Sequence, residues 1–600
     1  MFTLDPVYSD GMVLQRDVEN MIRGRTDAGA EVTLTACGGS YSAAADEKGR
    51  FEIALPAQPA CQEPCEFTLS CGGEARTIRD ILFGDVFHIT GQSNMELPIR
   101  RTYDPFSDVF RKPDCPMIRE FRAPVDNCFD PELELDSFTG GCWTRSDSEA
   151  ALDMSAAGYF FAKTLYDDIK IPIGLVNTSA GGAPIEGRLP CRILREYGDY
   201  DEFLDKANQP DYIEKTMAED MAREGAYFAD IEQRDKLGAK ILAGESPEGK
   251  KVSFPVDISD APGRVWFYND IDLPEDFPEQ GAMLLLGTMT DRDVAYINGK
   301  RVGETGYMYP PRFYQIPEGT LACGRNRIAV LLDVRGRFGG VTRGKRWCLK
   351  SGDKIVDLTS GWTMCRAVDA ECLVPATFFQ GLPLAVYGKT TAPAYGLNFK
   401  AMLIYQAESN GYNADKYAAL FTRFVEYYRE RCGYDIPVIS TQLPEFGVPD
   451  DSWARLREAQ LECCKIPGTA MAVTIGLGES NDLHPINKWD VGKRLAIATK
   501  ALVYDKKGYE PVTCKSAVYE QGGVMLRFTE SVALGEDEGY FETVTGGEVR
   551  TVKPAARDGG LFIPADKKPD MIRYAWRSDP EKPCLFDGRG LPVSPFRISL

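Results

Sequence analysis

Ile81-Leu82-Phe83-Gly84-Asp85-Val86-Phe87-His88-Ile89-Thr90-Gly91-Gln92-Ser93 is the stretch that decides the architecture. Ile81 to Phe83 and Val86 to Thr90 form a largely apolar run. A strand buried on both faces reads this way, and such strands build parallel sheets. The run ends in a polar turn, Gly91-Gln92-Ser93. In open α/β sheets the carboxyl ends of the strands are where chemistry is placed.

Working outward, the same unit recurs. Helical spacing around Ser155 to Asp168 leads to the apolar strand Ile173-Gly174-Leu175-Val176, which runs into Asn177-Thr178-Ser179-Ala180-Gly181-Gly182. Near residue 395 the pattern returns, with Met402-Leu403-Ile404-Tyr405 ending in Gln406-Ala407-Glu408-Ser409-Asn410. A helix over Tyr417 to Tyr428, the strand Pro437 to Ser440, a helix over Trp453 to Glu462 and the strand Ala470 to Thr474 follow. Then come Asn481-Asp482-Leu483-His484-Pro485 and a helix to about Tyr504. This alternation predicts a parallel, doubly wound, flavodoxin-like sheet.

The rest reads as β structure, with one exception. Residues 1–80 alternate like a small sandwich, as in Glu31-Val32-Thr33-Leu34-Thr35. Residues 196–249 are rich in charge and helix formers and predict a helical insertion with a solvated face. Residues 250–375 predict an inserted β-sandwich; Asn298-Gly299 after Asp293 to Ile297 is a strong hairpin signal. Residues 509–600 predict a C-terminal β domain. The α/β core is therefore expected in two parts, 81–195 and 376–508.

A chain of 600 residues, 44% apolar and 26% charged, is ordinary for a globular protein and too long for one core. The net charge of -20 argues against a nucleic-acid surface. No run approaches the ~18 apolar residues of a membrane span. The start has no basic region followed by an apolar stretch, so a cytoplasmic protein without a membrane partner is expected. The 17 cysteines form no two CxxC pairs. They read as free thiols, and no metal or cofactor is expected.

Histidine is scarce, and that narrows the chemistry. Only His88 and His484 are present. A serine hydrolase needs a histidine near neutral pKa to take the serine proton. His88 lies within an apolar strand, where a buried structural role is expected. His484 lies in a polar loop after the last α/β strand, two residues from Asp482, and an aspartate beside a histidine can fix its tautomer. Ser93 ends the first strand, although a serine there equally caps the next helix. Gly181-Gly182 can offer backbone N–H groups to an oxyanion, and Gln406 or Asn410 a side-chain amide. A tight turn and a capped loop are the plain alternatives for those residues.

These motifs resemble the sialate O-acetylesterase family of SGNH-type serine hydrolases. The resemblance runs through Tyr8 to Arg16, Gly91-Gln92-Ser93-Asn94-Met95-Glu96, Ala157 to Ala162, Ile171 to Asn177, Gly181 to Glu186, Tyr405 to Asn410, Asp482-Leu483-His484-Pro485 and Gly590 to Arg597. It implies an SGNH-hydrolase-like core, Ser93 as nucleophile, His484 as base and Asp482 as orienting acid. It implies an oxyanion hole from Ser93, Gly181 or Gly182, and Gln406, with Asn94, Glu408 and Asn410 in support. Two departures stand out. Ala407 replaces the usual glycine, and Arg188 replaces an aromatic residue. Arg188 is open to two readings, a contact to an anionic substrate or a pair with a surface acid. The 250–375 segment resembles a galactose-binding-like sandwich. The substrate implied is an O-acetylated sugar, sialate 9-O-acetyl groups first and acetylated xylan or mannan fragments second. A catalytically inactive carbohydrate-binding protein and a glycosidase with paired carboxylates are the other readings of the same sequence.

Overall fold

The computed structural model describes residues 2–107, 111–260, 262–277, 281–506, 509–520, 522–535, 541–580 and 582–600. The chain divides into two compact units. One holds Met1–Gln209, Phe378–Ser480 and His484–Leu600, and the other Pro210–Thr377 with Asn481–Leu483.

The first unit is built on one sheet. The strands along its main path are β1 (Glu74–Gly91), β2 (Ile118–Arg122), β3 (Cys142–Arg145), β4 (Ile173–Asn177), β5 (Ala401–Tyr405), β6 (Val438–Thr441) and β7 (Thr469–Ala472). The spatial order is β3-β2-β4-β1-β5-β6-β7. All neighbours are parallel except β3, which pairs antiparallel with β2. The continuous apolar run of β1 is explained by burial. From Ile81 to Gly91 every residue is buried, with β4 on one side and β5 on the other. The chain goes from β1 to one flank of the sheet and later to the other, so β1 marks the topological switch point.

The helices are α1 (Ser93–Glu96), α2 (Ala156–Ile169), α3 (Ala414–Cys432), α4 (Ser452–Cys463) and α5 (Lys488–Thr499). Helix α2 starts where Ser155 Oγ accepts the Gly158 N–H at 2.9 Å and ends at Lys170 in the left-handed conformation. It packs so closely on α5 that a side chain at Gly492 would strike the backbone of Phe161.

The expected boundary at residue 80 falls inside β1. The first half of β1 pairs antiparallel with Cys61–Cys71 and the second half joins the parallel sheet. One strand thus belongs to the N-terminal β region and to the core. The boundary expected after residue 508 falls at residues 507 and 508, outside the described residues. Beyond it the regular elements among the described residues are all strands, around a core that includes Val524, Phe541, Leu561, Ile572 and Phe596.

In the second unit the strands Gly263–Leu273 and Gly324–Val334 pair antiparallel along their length. The hairpin at Asn298-Gly299 joins Arg292–Ile297 to Lys300–Thr305. The helix Tyr212–Arg234 is part of this unit, and the short helix Asp201–Ala207 is part of the first. The helical segment joins the sheet through charge. Arg264 Nη1 donates to Glu232 at 2.5 Å, and Trp266 Nε1 to Asp235 at 2.8 Å.

Candidate active site

The end of β1 is set by Gly91. Its φ is +124°, and a side chain there would overlap the carbonyl oxygen of Tyr405. The absence of a Cβ lets β1 and β5 stay paired to their last residues, with the Gln92 N–H donating to Tyr405 O at 2.8 Å. The chain then turns into α1. The cap position belongs to Gln92, and its side chain makes no cap bond. Ser93 is the first residue of the turn, and its Oγ lies 2.7 Å from Nε2 of His484. Of the two sequence readings for Ser93, the hydroxyl facing a histidine is the one observed.

His484 arrives from the loop after β7. Burial pulls its pKa from 6.5 to about 3, with the charges of Lys488 and Arg101 acting in the same direction. The imidazole is therefore neutral and able to accept a proton. Ser93 and His484 are each half-buried.

Three strand-end turns are tied together around this pair. Gln92 Oε1 accepts the N–H groups of Ala407 and Ser409, each at 3.2 Å, and its Nε2 donates to Ser409 Oγ at 2.6 Å. Asn94 Nδ2 donates to Glu408 Oε1 at 2.8 Å. Burial raises the pKa of Glu408. Asn410 is fully buried. It donates to Glu186 Oε2 at 2.7 Å and accepts the Ile185 N–H at 3.1 Å. Asn94, Glu408 and Asn410 thus link the turns to one another.

Two expected oxyanion donors are committed elsewhere. The Gly181 N–H donates to Glu96 Oε2 at 2.7 Å. Gln406 Nε2 donates to Asn410 Oδ1 at 2.9 Å and to Gln92 Oε1 at 3.3 Å. Among the described residues, the N–H groups of Ser93 and Gly182 have no acceptor. Gly182 has φ +72°, and the exposed ring of Phe378 lies where its side chain would be.

Arg188 requires a correction to both of its sequence readings. It is fully buried and meets neither an open surface nor a surface acid. Its Nη2 donates to Gly91 O at 2.5 Å and Thr178 O at 3.2 Å, and its Nη1 to Thr391 Oγ1 at 3.3 Å. It holds the carbonyl behind the Ser93 turn. Burial lowers its pKa to about 10.

Asp482 lies in the second compact unit. It is buried and pairs with Lys345 Nζ at 3.2 Å. Asn481, three residues before His484, donates its amide to the Arg343 carbonyl. His88 is buried, as expected. Its Nε2 bonds Thr178 Oγ1 at 2.7 Å and its Nδ1 the Tyr428 hydroxyl at 2.9 Å. Lys488, Glu96 and Gln92 were not singled out by the sequence. Gln92 and Glu96 sit within the Gly91–Glu96 motif. Lys488 reads there as an ordinary helix cation.

Fold and site together define an α/β protein with a serine–histidine pair at the switch point of a parallel sheet. Comparison with known proteins narrows the class. Residues 386–500 match the family described as carbohydrate esterase, sialic acid-specific acetylesterase. The rat sialate O-acetylesterase is 28% identical over 202 residues, which is 31% of this chain and 37% of the rat protein. The human sialate O-acetylesterase is 30% identical over 129 residues, 20% of this chain and 24% of its own length. The chain thus matches well under half the length of these curated relatives. A carbohydrate acetylesterase from Xanthomonas citri, known from its crystal structure, shares the fold. Its TM-score is 0.65 at 21% identity, covering 100% of this chain and 99% of that one. The chain is similar to the sialate O-acetylesterases, and the resemblance read from its motifs holds.

Proposed function

We propose that this chain is a carbohydrate O-acetylesterase that works through an acetyl-enzyme on Ser93. The observation that carries the reading is the 2.7 Å contact of Ser93 Oγ with a neutral His484 at the strand ends. The family match over 386–500, which spans the His484 loop, supports the acetyl ester of a sugar as substrate. The core is read as SGNH-type and the insertion as galactose-binding-like.

In this scheme Ser93 Oγ attacks the acetyl carbonyl as His484 takes its proton. The N–H groups of Ser93 and Gly182 receive the oxyanion, and the committed amides of Gly181 and Gln406 join only if their partners let go. His484 then protonates the sugar oxygen, and a second cycle with water releases acetate. Asp482, two residues before His484, is the proposed orienting acid, and it pairs with Lys345 Nζ at 3.2 Å. No step requires a cofactor.

The test is acetate release from p-nitrophenyl acetate, 9-O-acetyl sialic acid and acetylated xylo-oligosaccharides, by the wild type and by Ser93→Ala. The variant is expected to fold and to lose turnover on all of them. Near-normal turnover in Ser93→Ala would remove the assignment. Preference for the xylo-oligosaccharides would move the substrate from sialate to plant polysaccharide.

A further inference from the structure

Lys488 is the first residue of α5, four positions after His484, and its side chain is fully buried. Burying an ammonium costs several kcal/mol, in order of magnitude, unless partners compensate. Here the partners lie on the catalytic loops. Its Nζ donates to Asn94 Oδ1 at 2.8 Å and to the Pro485 carbonyl at 2.6 Å. Asn94 follows the nucleophile, and Pro485 follows the histidine. Through Asn94 the amine also reaches a carboxylate, since Asn94 Nδ2 donates to Glu408 Oε1 at 2.8 Å. The ring of Tyr405, the last residue of β5, lies 5.9 Å from Nζ.

We propose that Lys488 is a positioning residue of the reaction, which ties the Ser93 turn to the His484 loop and sets the charge environment in which His484 works. The proposal rests on the reading of Ser93 and His484 as nucleophile and base. A purely structural tie needs no charge at this point. An uncharged donor would hold Asn94 and the Pro485 carbonyl as well, without the desolvation cost. The charge itself acts on His484, where Lys488 and Arg101, on the turn Ile99–Thr102, both oppose protonation. The Ser93 hydroxyl meets Nε2 of the histidine, and Glu479, on the same loop, accepts the Ile486 N–H at 3.2 Å.

Two consequences follow. Lys488 keeps the resting imidazole free as a base. It also makes the imidazolium formed during turnover a stronger acid, ready to give its proton to a sugar alkoxide. A sugar is a poor leaving group and needs that proton, whereas p-nitrophenolate leaves without it.

The test compares the wild type with Lys488→Met and Lys488→Gln, using pH profiles of kcat/KM on p-nitrophenyl acetate and on an acetylated sugar. Removing the charge should raise the acid limb by about one pH unit. It should also lower the rate on the sugar ester more than on the p-nitrophenyl ester. Lys488→Gln keeps a donor for Asn94 and Pro485, so it carries the test if the methionine variant does not fold. Folded variants with an unmoved acid limb and equal losses on both esters would overturn the proposal. Ser93→Ala, assayed alongside, separates the two failures. Activity surviving in that variant would mean that the nucleophile was misread, and its loss with an unmoved acid limb would mean that only the role of Lys488 was.

Discussion

The two histidines occupy two regions of the same sheet, the interior of β1 and the rim beyond β7. In both, burial brings the pKa to about 3. Their surroundings nevertheless differ in kind. His88 has both ring nitrogens hydrogen-bonded within the protein, and it is stacked between Phe399 at 5.1 Å and Tyr428 at 5.5 Å. His484 has Nε2 on a serine hydroxyl and is only half-buried. A perturbed pKa therefore does not by itself mark a catalytic histidine; it marks a buried one. What separates the two is the partner. Thr178 and Tyr428 complete a buried network, while Ser93 is itself only half-buried.

Exchanging the demands on the two regions gives the largest expected effects. His484→Ala should lower kcat/KM by at least about 10⁴-fold. It should leave the melting temperature nearly unchanged, because a half-exposed side chain is removed. His88→Ala should do the opposite. It strands the Thr178 and Tyr428 hydroxyls and opens a gap between two rings, at a cost of about 3 kcal/mol. Activity per folded molecule should stay within a few-fold of wild type. Thermal melts and active-site titration of the same preparations check both outcomes. Equal loss of rate in the two variants would erase the distinction.

The pH dependence sharpens the comparison. His484 must be neutral to act as a base, and its pKa is depressed below 6.5. The acid limb of kcat/KM should therefore lie below pH 6.5. Both histidines take up a proton more readily when unfolded, so each contributes stability above pH 6.5 that is lost as pH falls toward 3. Melting temperature against pH should decline over that window. His88→Phe, which does not titrate, should flatten part of the decline.

The interior was far more legible in the sequence than the rim. A continuous apolar run such as Val86 to Thr90 has few meanings, and it gave β1 and its neighbours together. The positions of Ser93 and His484 followed, because strand ends are where such runs stop. The fates of individual polar groups did not follow. Arg188 looks like a surface charge, but its guanidinium is drawn inward by the carbonyls of Gly91 and Thr178. The Gly181 N–H reads as available in the sequence, but in the fold Glu96, 85 positions earlier, accepts it. Lys488 carries no sequence mark because its partners are loops brought together only by the fold. Periodicity reports which face a residue takes. It does not report which of several polar neighbours it will bond.

The smallest predicted effect concerns backbone strain at the rim. Gly91 at the end of β1, Gly182 in the turn after β4 and Ala407 in the turn after β5 have φ of +124°, +72° and +128°. Two are glycines and meet no penalty. Ala407 is fully buried, and its N–H is held by Gln92 Oε1 at 3.2 Å. Its methyl group therefore lies inside the protein, and its cost is conformational. An alanine in this region carries about 1–3 kcal/mol of strain. Glycine would relieve it, offset by about 0.4–1 kcal/mol of added freedom in the unfolded chain. Ala407→Gly should therefore raise stability by about 1 kcal/mol, seen as a small rise in melting temperature. A fall would mean that the Gln92 bond, and not the φ angle, governs the turn. The β5 turn would then be held as tightly as the interior around His88, and the difference between interior and rim would narrow to the side chains alone.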